Sequence, residues 1–295
     1  MEIRQLRAFV IISAELHFRR AAEILHLSQS ALSKQVRSLE EELGESLFLR
    51  TRHAVRPTPA GAAFLEHAKE IVRRVEAAKD AVTQAARGRT GRLEVGFCEG
   101  MEIRTVPRIL RRFRRRYPDV DLRLHPCPSL EQAEGVRRGT LDLGFVHLPL
   151  PGEDISVVRL GHEPFYLAAP EGHRLARCPE TPLAEIHQES FILLTRQRAP
   201  IYHDLVLSLA REAGVVLSVH TEARSFTESL SLVAAGLGVS LLPSSCRDLT
   251  WKGVAFCRLK PLASELETGI ISRKAETSEL VGNFLEVARA ANENR

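Results

Sequence analysis

Between Ala62 and Arg87 the chain holds neither glycine nor proline, which leaves room for roughly seven turns of unbroken helix. Along this run Phe64, Ala68, Ile71, Val75, Ala78, Val82 and Ala85 recur at intervals of 4, 3, 4, 3, 4 and 3. A heptad seam of that kind is narrow and suits a second helix better than a broad core. The spacing predicts one helix over 58–88, self-associating through Phe64, Ala68, Ile71, Val75, Ala78 and Val82. The competing reading is a helix that packs on its own domain. Arg87-Gly88-Arg89-Thr90-Gly91 reads as a hinge. The stretch divides the chain into a head (1–57), a connector (58–91) and a remainder (92–295).

The head reads as short helices followed by a small β-element. Ile3, Leu6, Phe9 and Val10 form one apolar stripe, and Ala21, Ala22 and Leu25 a second. Leu32, Val36, Leu39 and Leu43 form a third, spaced 4, 3 and 4. Ser28 is an N-cap for the helix that Gln29 opens, and Gly44 closes it. Leu47-Phe48-Leu49 reads as a strand, and Arg50 to Arg56 as a basic loop returning to Pro57. If the third helix buries Leu32, Val36 and Leu39, then Ser30, Ser33, Lys34 and Arg37 project from its other side, where they can reach a DNA major groove. Arg50, Arg52 and Arg56 are placed for the phosphate backbone. Residues 1–91 hold 15 Lys and Arg against 11 Asp and Glu, whereas the rest of the chain holds 26 of each. The whole basic excess therefore sits where a polyanion would be met.

The run FRRAAEILHLSQSALSKQVRSLEEELGESLFLRTRHAVRPTPAG resembles the N-terminal domain of LysR-type transcriptional regulators. The match is carried by Ala21-Ala22, Leu25, Ser28 through Ser33, Gln35, Leu39-Glu40, Leu43-Gly44, Leu47-Phe48, Arg50, Thr58 and Gly61. One departure falls at the second helix, where the family usually has Ser-Phe-Thr before the Ala-Ala pair and this chain has His17-Phe18-Arg19-Arg20. The expected capping hydroxyls are missing, and Arg19 or Arg20 would supply the phosphate contact. The resemblance implies DNA contacts from Arg19, Arg20, Ser28, Gln29, Ser30, Ser33, Lys34, Arg37, Arg50, Arg52 and Arg56. It also implies a dimerisation role for the connector, which would hold two heads apart.

After Arg92 short β-rich runs alternate with amphipathic helices, an α/β pattern. Strands are expected at 92–97, 122–125, 142–146, 165–169, 191–194, 218–222, 239–242 and 269–272. Helices are expected at 103–117, 131–138, 201–213 and 226–235 and at the C-terminus. The succession implies two doubly wound lobes, about 92–162 with 268–295 and about 163–267, with a ligand between them. The phrases Leu141 to Phe145 and Val233 to Pro243 are similar to LysR-type effector domains, nearest the branch that controls aromatic-compound catabolism. The implied fold is α+β overall: a winged helix-turn-helix, a long linker helix and a two-lobed effector domain like that of periplasmic binding proteins. Ligand contacts carried over from that branch are Cys98, Glu99, Gly100, Met101, Ser129, His147, Pro200, Ile201, Tyr202, His203, Ser225, Phe226 and Thr227. Dicarboxylate-binding members usually carry a hydroxyl at Gly100 and often Arg at His147. Ser129, Thr227 and helix-start amides remain as anion donors here, while Glu99 and His147 suit a more polar or cationic ligand.

Other functions find less support. Cys98, His125, Cys127 and His147 end neighbouring strands, so a thiol- or metal-responsive regulator of the same fold is the alternative, although their spacing matches no closed zinc motif. An α/β enzyme would need a nucleophile elbow or a phosphate loop. Gly236-Leu237-Gly238 lacks the third glycine and the strand-helix context. No catalytic residue, metal or cofactor is expected. The run Arg111 to Arg116, with Phe113 turned inward, reads as a solvated face or a contact with a neighbouring subunit. Five cysteines without a CxxC pair fit a reducing compartment. With no run near ~18 apolar residues and no signal peptide, a cytoplasmic protein is expected. Its partners would be double-stranded promoter DNA, a small-molecule effector, further copies of itself from dimer to tetramer, and RNA polymerase.

Overall fold

The computed structural model describes residues 1–50, 55–177, 180–260 and 264–293. They form two compact units, Met1–Gln84 and Ala85–Arg295.

In the first unit, α1 (Ile3–Glu15), α2 (Phe18–Ile24) and α3 (Gln29–Leu43) turn their apolar stripes onto one another. Leu6, Phe9, Ile12, Ala21, Leu32, Val36 and Leu39 are wholly or almost wholly buried there. The strands β1 (Phe48–Arg50) and β2 (Val55–Pro57) pair antiparallel, with Phe48 opposite Pro57. Arg52 lies outside the described residues.

Next comes α4 (Pro59–Ala86). Thr58 prepares it: its hydroxyl accepts from the Gly61 amide at 2.9 Å and donates to the Ser46 carbonyl at 2.6 Å. The first turns of α4 differ from the seam expected of them. Ala68 is buried in the head's own core, and Phe64, Leu65, Ile71 and Val72 pack against it. Phe9 has Phe48 and Phe64 at ring-centroid distances of 5.2 and 5.3 Å. Three short helices leave one side of so small a core open, and α4 closes it. Of the predicted seam, Val75 is half-buried, while Ala78 and Val82 are exposed, Val82 by 71%.

The second unit holds two lobes. In the first, β3 (Gly91–Phe97), β4 (Val120–Pro126), β5 (Leu143–Leu148), β6 (Ile155–Glu163) and β13 (Leu266–Arg273) make one sheet in the order β4-β3-β5-β13-β6. The strands β4, β3 and β5 run parallel, and β13 is antiparallel to β5 and β6. One sheet face is covered by α5 (Thr105–Arg116) and α9 (Glu279–Glu293) through Ile109, Phe113 and Phe284. The other is covered by α6 (Ser129–Arg138) through Ala133 and Val136. The arginine run on α5 stays at the surface, where Arg116 pairs with Glu286 at 3.2 Å and Arg112 donates to the Ala290 carbonyl at 3.0 Å.

In the second lobe, β7 (Phe165–Pro170), β8 (Glu180–Pro182), β11 (Ser240–Pro243) and β12 (Val254–Lys260) form a sheet ordered β11-β7-β12-β8. Beside it β9 (Ser190–Leu194) and β10 (Ser218–Ala223) pair in parallel, and a bridge from Phe191 to Val239 joins the two groups. The helices α7 (Pro200–Glu212) and α8 (Phe226–Ala234) pack on these strands. This lobe is therefore not the simple doubly wound sheet expected, because β7 runs antiparallel to both β11 and β12. The strands β6, β8 and β12 are absent from the sequence reading. All three pair with strands far away in the chain, and local periodicity does not report such partners.

Candidate functional site

The exposed side of α3 is assembled from local signals. The Ser28 hydroxyl accepts from the Ala31 amide at 3.1 Å and lies 3.0 Å from the Ser30 hydroxyl, and the helix ends on Gly44 in the left-handed conformation. With Leu32, Val36 and Leu39 inside, Gln29, Ser30, Lys34 and Arg37 are exposed and Ser33 is half-buried. The gap left by the missing hydroxyls before α2 is filled differently from the expectation. His17 caps the helix, its Nδ1 accepting from the Arg19 and Arg20 amides at 3.2 and 3.5 Å.

The basic residues are not equally available. Arg19 pairs with Glu23 at 3.3 Å, on a face where such a pair is weak. Arg50 is held firmly: Glu40 accepts from it at 2.9 Å, and its guanidinium lies 4.7 Å from the Phe18 ring centroid. The same carboxylate accepts from the Leu47 and Phe48 amides at 2.8 and 3.2 Å. Glu40 thus fixes β1 against α3, a role that its place on an amphipathic helix did not reveal. Arg20, Lys34, Arg37 and Arg56 are exposed and make no ion pair with another described residue. A polyanion can neutralise them without displacing an internal partner.

Between the lobes of the second unit, the loop after β3 meets the start of α8. Glu99 Oε1 accepts from the Phe226 amide at 2.8 Å across 127 positions of sequence. At Gly100, φ is +88° and an added Cβ would stand 2.7 Å from the Phe226 ring. The glycine that replaces the expected hydroxyl is thus required both by the backbone and by that ring. Deeper in, the Ser129 hydroxyl accepts from the His147 amide at 3.0 Å. Cys98, Met101, Ser129 and His147 are all buried. Burial pushes the Cys98 thiol up to about 12 and holds the His147 imidazole down at about 4, so both are neutral at pH 7. His125 instead turns to Glu94 at 2.6 Å. Among the described residues no three His, Cys, Asp or Glu side chains converge as a metal site.

Some predicted ligand contacts lie elsewhere. Tyr202 is fully buried, donates from its hydroxyl to the Leu241 carbonyl at 2.6 Å and meets the Phe226 ring edge-on at 5.1 Å. It supports α8 from behind, which corrects its place among the ligand contacts. His203 Nδ1 is bonded to the Leu194 carbonyl at 2.7 Å. Phe226 contributes its amide and a buried ring, whereas Thr227 is exposed and its hydroxyl meets that of Ser225 at 2.9 Å. Pro200 and Ile201 are half-buried at the start of α7.

Two cavities adjoin this junction. One, about 80 Å³, is lined by Phe97, Glu99, Glu102, Pro126, Cys127 and Pro128 of the first lobe and Arg198 of the second. The other, about 800 Å³, lies where the chain passes between lobes, with Leu148, Pro149, Ile201 and Leu205 as apolar wall and Asp204, Glu265 and Glu267 among its polar groups. Glu102 and Arg198 were missed from the sequence. Glu102 is exposed as a residue, but partial desolvation of its carboxyl at the cavity, reinforced by the charge of Glu99, raises that carboxyl to about 7. Glu99 is also raised by burial, against the opposing pull of the Phe226 amide and Arg198. A further tie spans the lobes: Arg104 pairs with Asp248 at 2.7 Å.

A winged helix-turn-helix with a cationic recognition face, on the same chain as a two-lobed α/β unit with an interlobe cleft, defines a one-component transcription regulator. The chain belongs to the LysR family of such regulators. The profile described as "Bacterial regulatory helix-turn-helix protein, lysR family" matches residues 3–62, and the "LysR substrate binding domain" matches residues 86–293. The HTH-type transcriptional regulator TfdS of Cupriavidus pinatubonensis (strain JMP 134 / LMG 1197) is 33% identical over 291 residues, 98% of each chain. The crystal structure of CbnR, a LysR family transcriptional regulator, superposes with a TM-score of 0.89 at 29% identity, covering 98% of this chain and all of that one. Full-length CbnR complexed with its target DNA gives 0.85 at the same identity, covering 99% and 100%.

Proposed function

We propose that α3 enters the major groove of promoter DNA, with Lys34 and Arg37 reaching bases or phosphates and Gln29, Ser30 and Ser33 completing the contact. Arg20 and Arg56 neutralise flanking phosphates, and Arg19 joins them once released from Glu23. Arg50 acts mainly by holding the wing. A small metabolite bound between the lobes biases their closure and so changes how the assembled protein bends its promoter. The regulator works in the cytoplasm as a dimer of dimers, using the half-buried Val75 and the exposed Ala78 and Val82 of the α4 seam, and communicates with RNA polymerase. No catalytic step or cofactor belongs to this reading.

The observation that carries it is the side of α3 opposite Leu32, Val36 and Leu39, which presents two cations that have no ion-pair partner among the described residues. Footprinting of purified protein on its own upstream region tests it. A protected site is expected, lost on Lys34→Ala or Arg37→Ala with the fold intact. Normal protection by both variants would refute the groove assignment.

The metabolite is expected to be an acid, aromatic or a catabolic intermediate, since Arg198 offers an anion partner at the cleft. A thiol-responsive alternative is disfavoured, because burial raises the Cys98, Cys127 and Cys246 thiols away from the reactive thiolate.

A further inference from the structure

We propose that the effector of the interlobe cleft carries a cationic amine beside its carboxylate, with the amine held between Glu99 and Glu102 and the carboxylate facing Arg198. This inference rests on the regulator reading above and narrows its ligand class.

The amide at the start of α8 is the donor that a helix N-terminus ordinarily offers to a bound anion. Here Glu99, a residue of the other lobe, already accepts from it at 2.8 Å. A purely acidic ligand would have to displace that carboxylate and would then lie against Glu102. The 80 Å³ cavity is lined by two carboxyl groups and a single guanidinium, so its walls hold more acidic groups than basic ones. Glu102 makes no ion pair with another described residue, and its charge is disfavoured by partial desolvation at the cavity wall and by the neighbouring charge of Glu99. A ligand ammonium relieves both effects, because it supplies the missing counter-charge and takes the place of water around the carboxylates. Arg198, contributed by the facing lobe, is left for the ligand's own carboxylate. The cavity opens to solvent, so the remainder of the ligand can extend beyond it. A zwitterion of this form also joins the lobes, since its two charged ends contact opposite walls.

Titration calorimetry of the full-length protein with two matched sets tests this. One set is L-phenylalanine, 2-phenylethylamine and 3-phenylpropanoate; the other is L-leucine, 3-methylbutylamine and 4-methylpentanoate. At least one amino acid is expected to bind about tenfold or more tightly than its deaminated acid. Glu102→Gln should weaken the amino acid and the amine by about tenfold or more. Arg198→Met should weaken the amino acid and the acid but leave the amine unchanged. Equal or tighter binding of the acids, unchanged affinity in Glu102→Gln, or no binding by either amino acid would overturn the inference. Footprinting of the wild-type protein is read in parallel. An operator footprint with no amine binding defeats only the ligand class, whereas a missing footprint defeats the regulator reading itself.

Discussion

The recognition head and the interlobe cleft are opposite solutions to placing polar groups. On α3 the chemistry faces outward: Lys34 and Arg37 are exposed, while Leu32, Val36 and Leu39 on the opposite side are buried in the core. In the cleft the chemistry faces inward. The buried Ser129 hydroxyl accepts from the His147 backbone amide, and Glu99 is bonded to the far lobe. A surface that must meet a phosphate-lined duplex in many registers gains from cations with no internal partner. A pocket that must reject most metabolites gains from groups that are costly to leave unsatisfied. The two regions should therefore respond differently to substitution.

The largest expected effect separates them by core. Leu39→Ala removes a fully buried side chain of the head and should lower that unit's stability by about 2–5 kcal/mol. Differential scanning calorimetry should show the head transition shifting while that of residues 85–295 stays in place. Movement of both transitions would break the comparison. Lys34→Ala and Arg37→Ala should each reduce operator affinity by about 1–3 kcal/mol, read by gel shift at fixed salt, with no change in melting temperature. Gly100→Ser should do the reverse. The added side chain meets the Phe226 ring at a positive φ, so the effector unit should lose about 1–3 kcal/mol while operator affinity is retained. A Gly100→Ser protein that melts like wild type would show the loop is looser than its geometry. Ser28→Ala, which removes the α3 cap, should destabilise the head by about 1 kcal/mol, measured by denaturant titration.

The smallest effect is a pH response in which two cleft groups oppose each other. The folded His147 imidazole is held at about 4, below its ordinary value of 6.5. Its contribution is therefore present above pH 6.5 and is lost as pH falls toward 4. The folded Glu102 carboxyl is raised to about 7 from an ordinary 4.5, so its contribution is present below pH 4.5 and is lost as pH rises through 7. The wild-type effector unit should consequently melt almost evenly between pH 5 and 7. Glu102→Gln should become less stable as the pH falls across that window, and His147→Gln more stable. Identical slopes in the two variants would show that neither group titrates as its surroundings require.

The head was legible because its signals are local. The Ser28 cap lies three residues from the amide it serves, and the stripe of Leu32, Val36 and Leu39 sets the rotation of α3 without reference to the rest of the chain. Even there, side-chain partnerships were hidden: nothing in the order of residues indicates that Glu40 holds Arg50 and two β1 amides, or that His17 caps α2 with an imidazole. The heptad spacing was read correctly as a helix, but it could not tell which half of that helix its own core would consume. In the cleft, the segments were placed by resemblance, while the direction of each side chain was not. Tyr202 and Glu102 show the error in both senses, one buried behind the site and the other lining it unforeseen.

The sequence by itself determined the helices of the head, the long connector and the alternating character of the remainder, because periodicity, caps and turn residues act within a few positions; the family was legible through the resemblance of its motifs. Only the tertiary structure decided that β7 runs antiparallel to its neighbours, that α4 completes the head's core, and that Glu99 spans 127 positions to the Phe226 amide. Those outcomes depend on distant segments competing for the same buried space and the same hydrogen-bond donors. That competition is settled by packing in three dimensions, where neighbours in the chain are seldom the partners that matter.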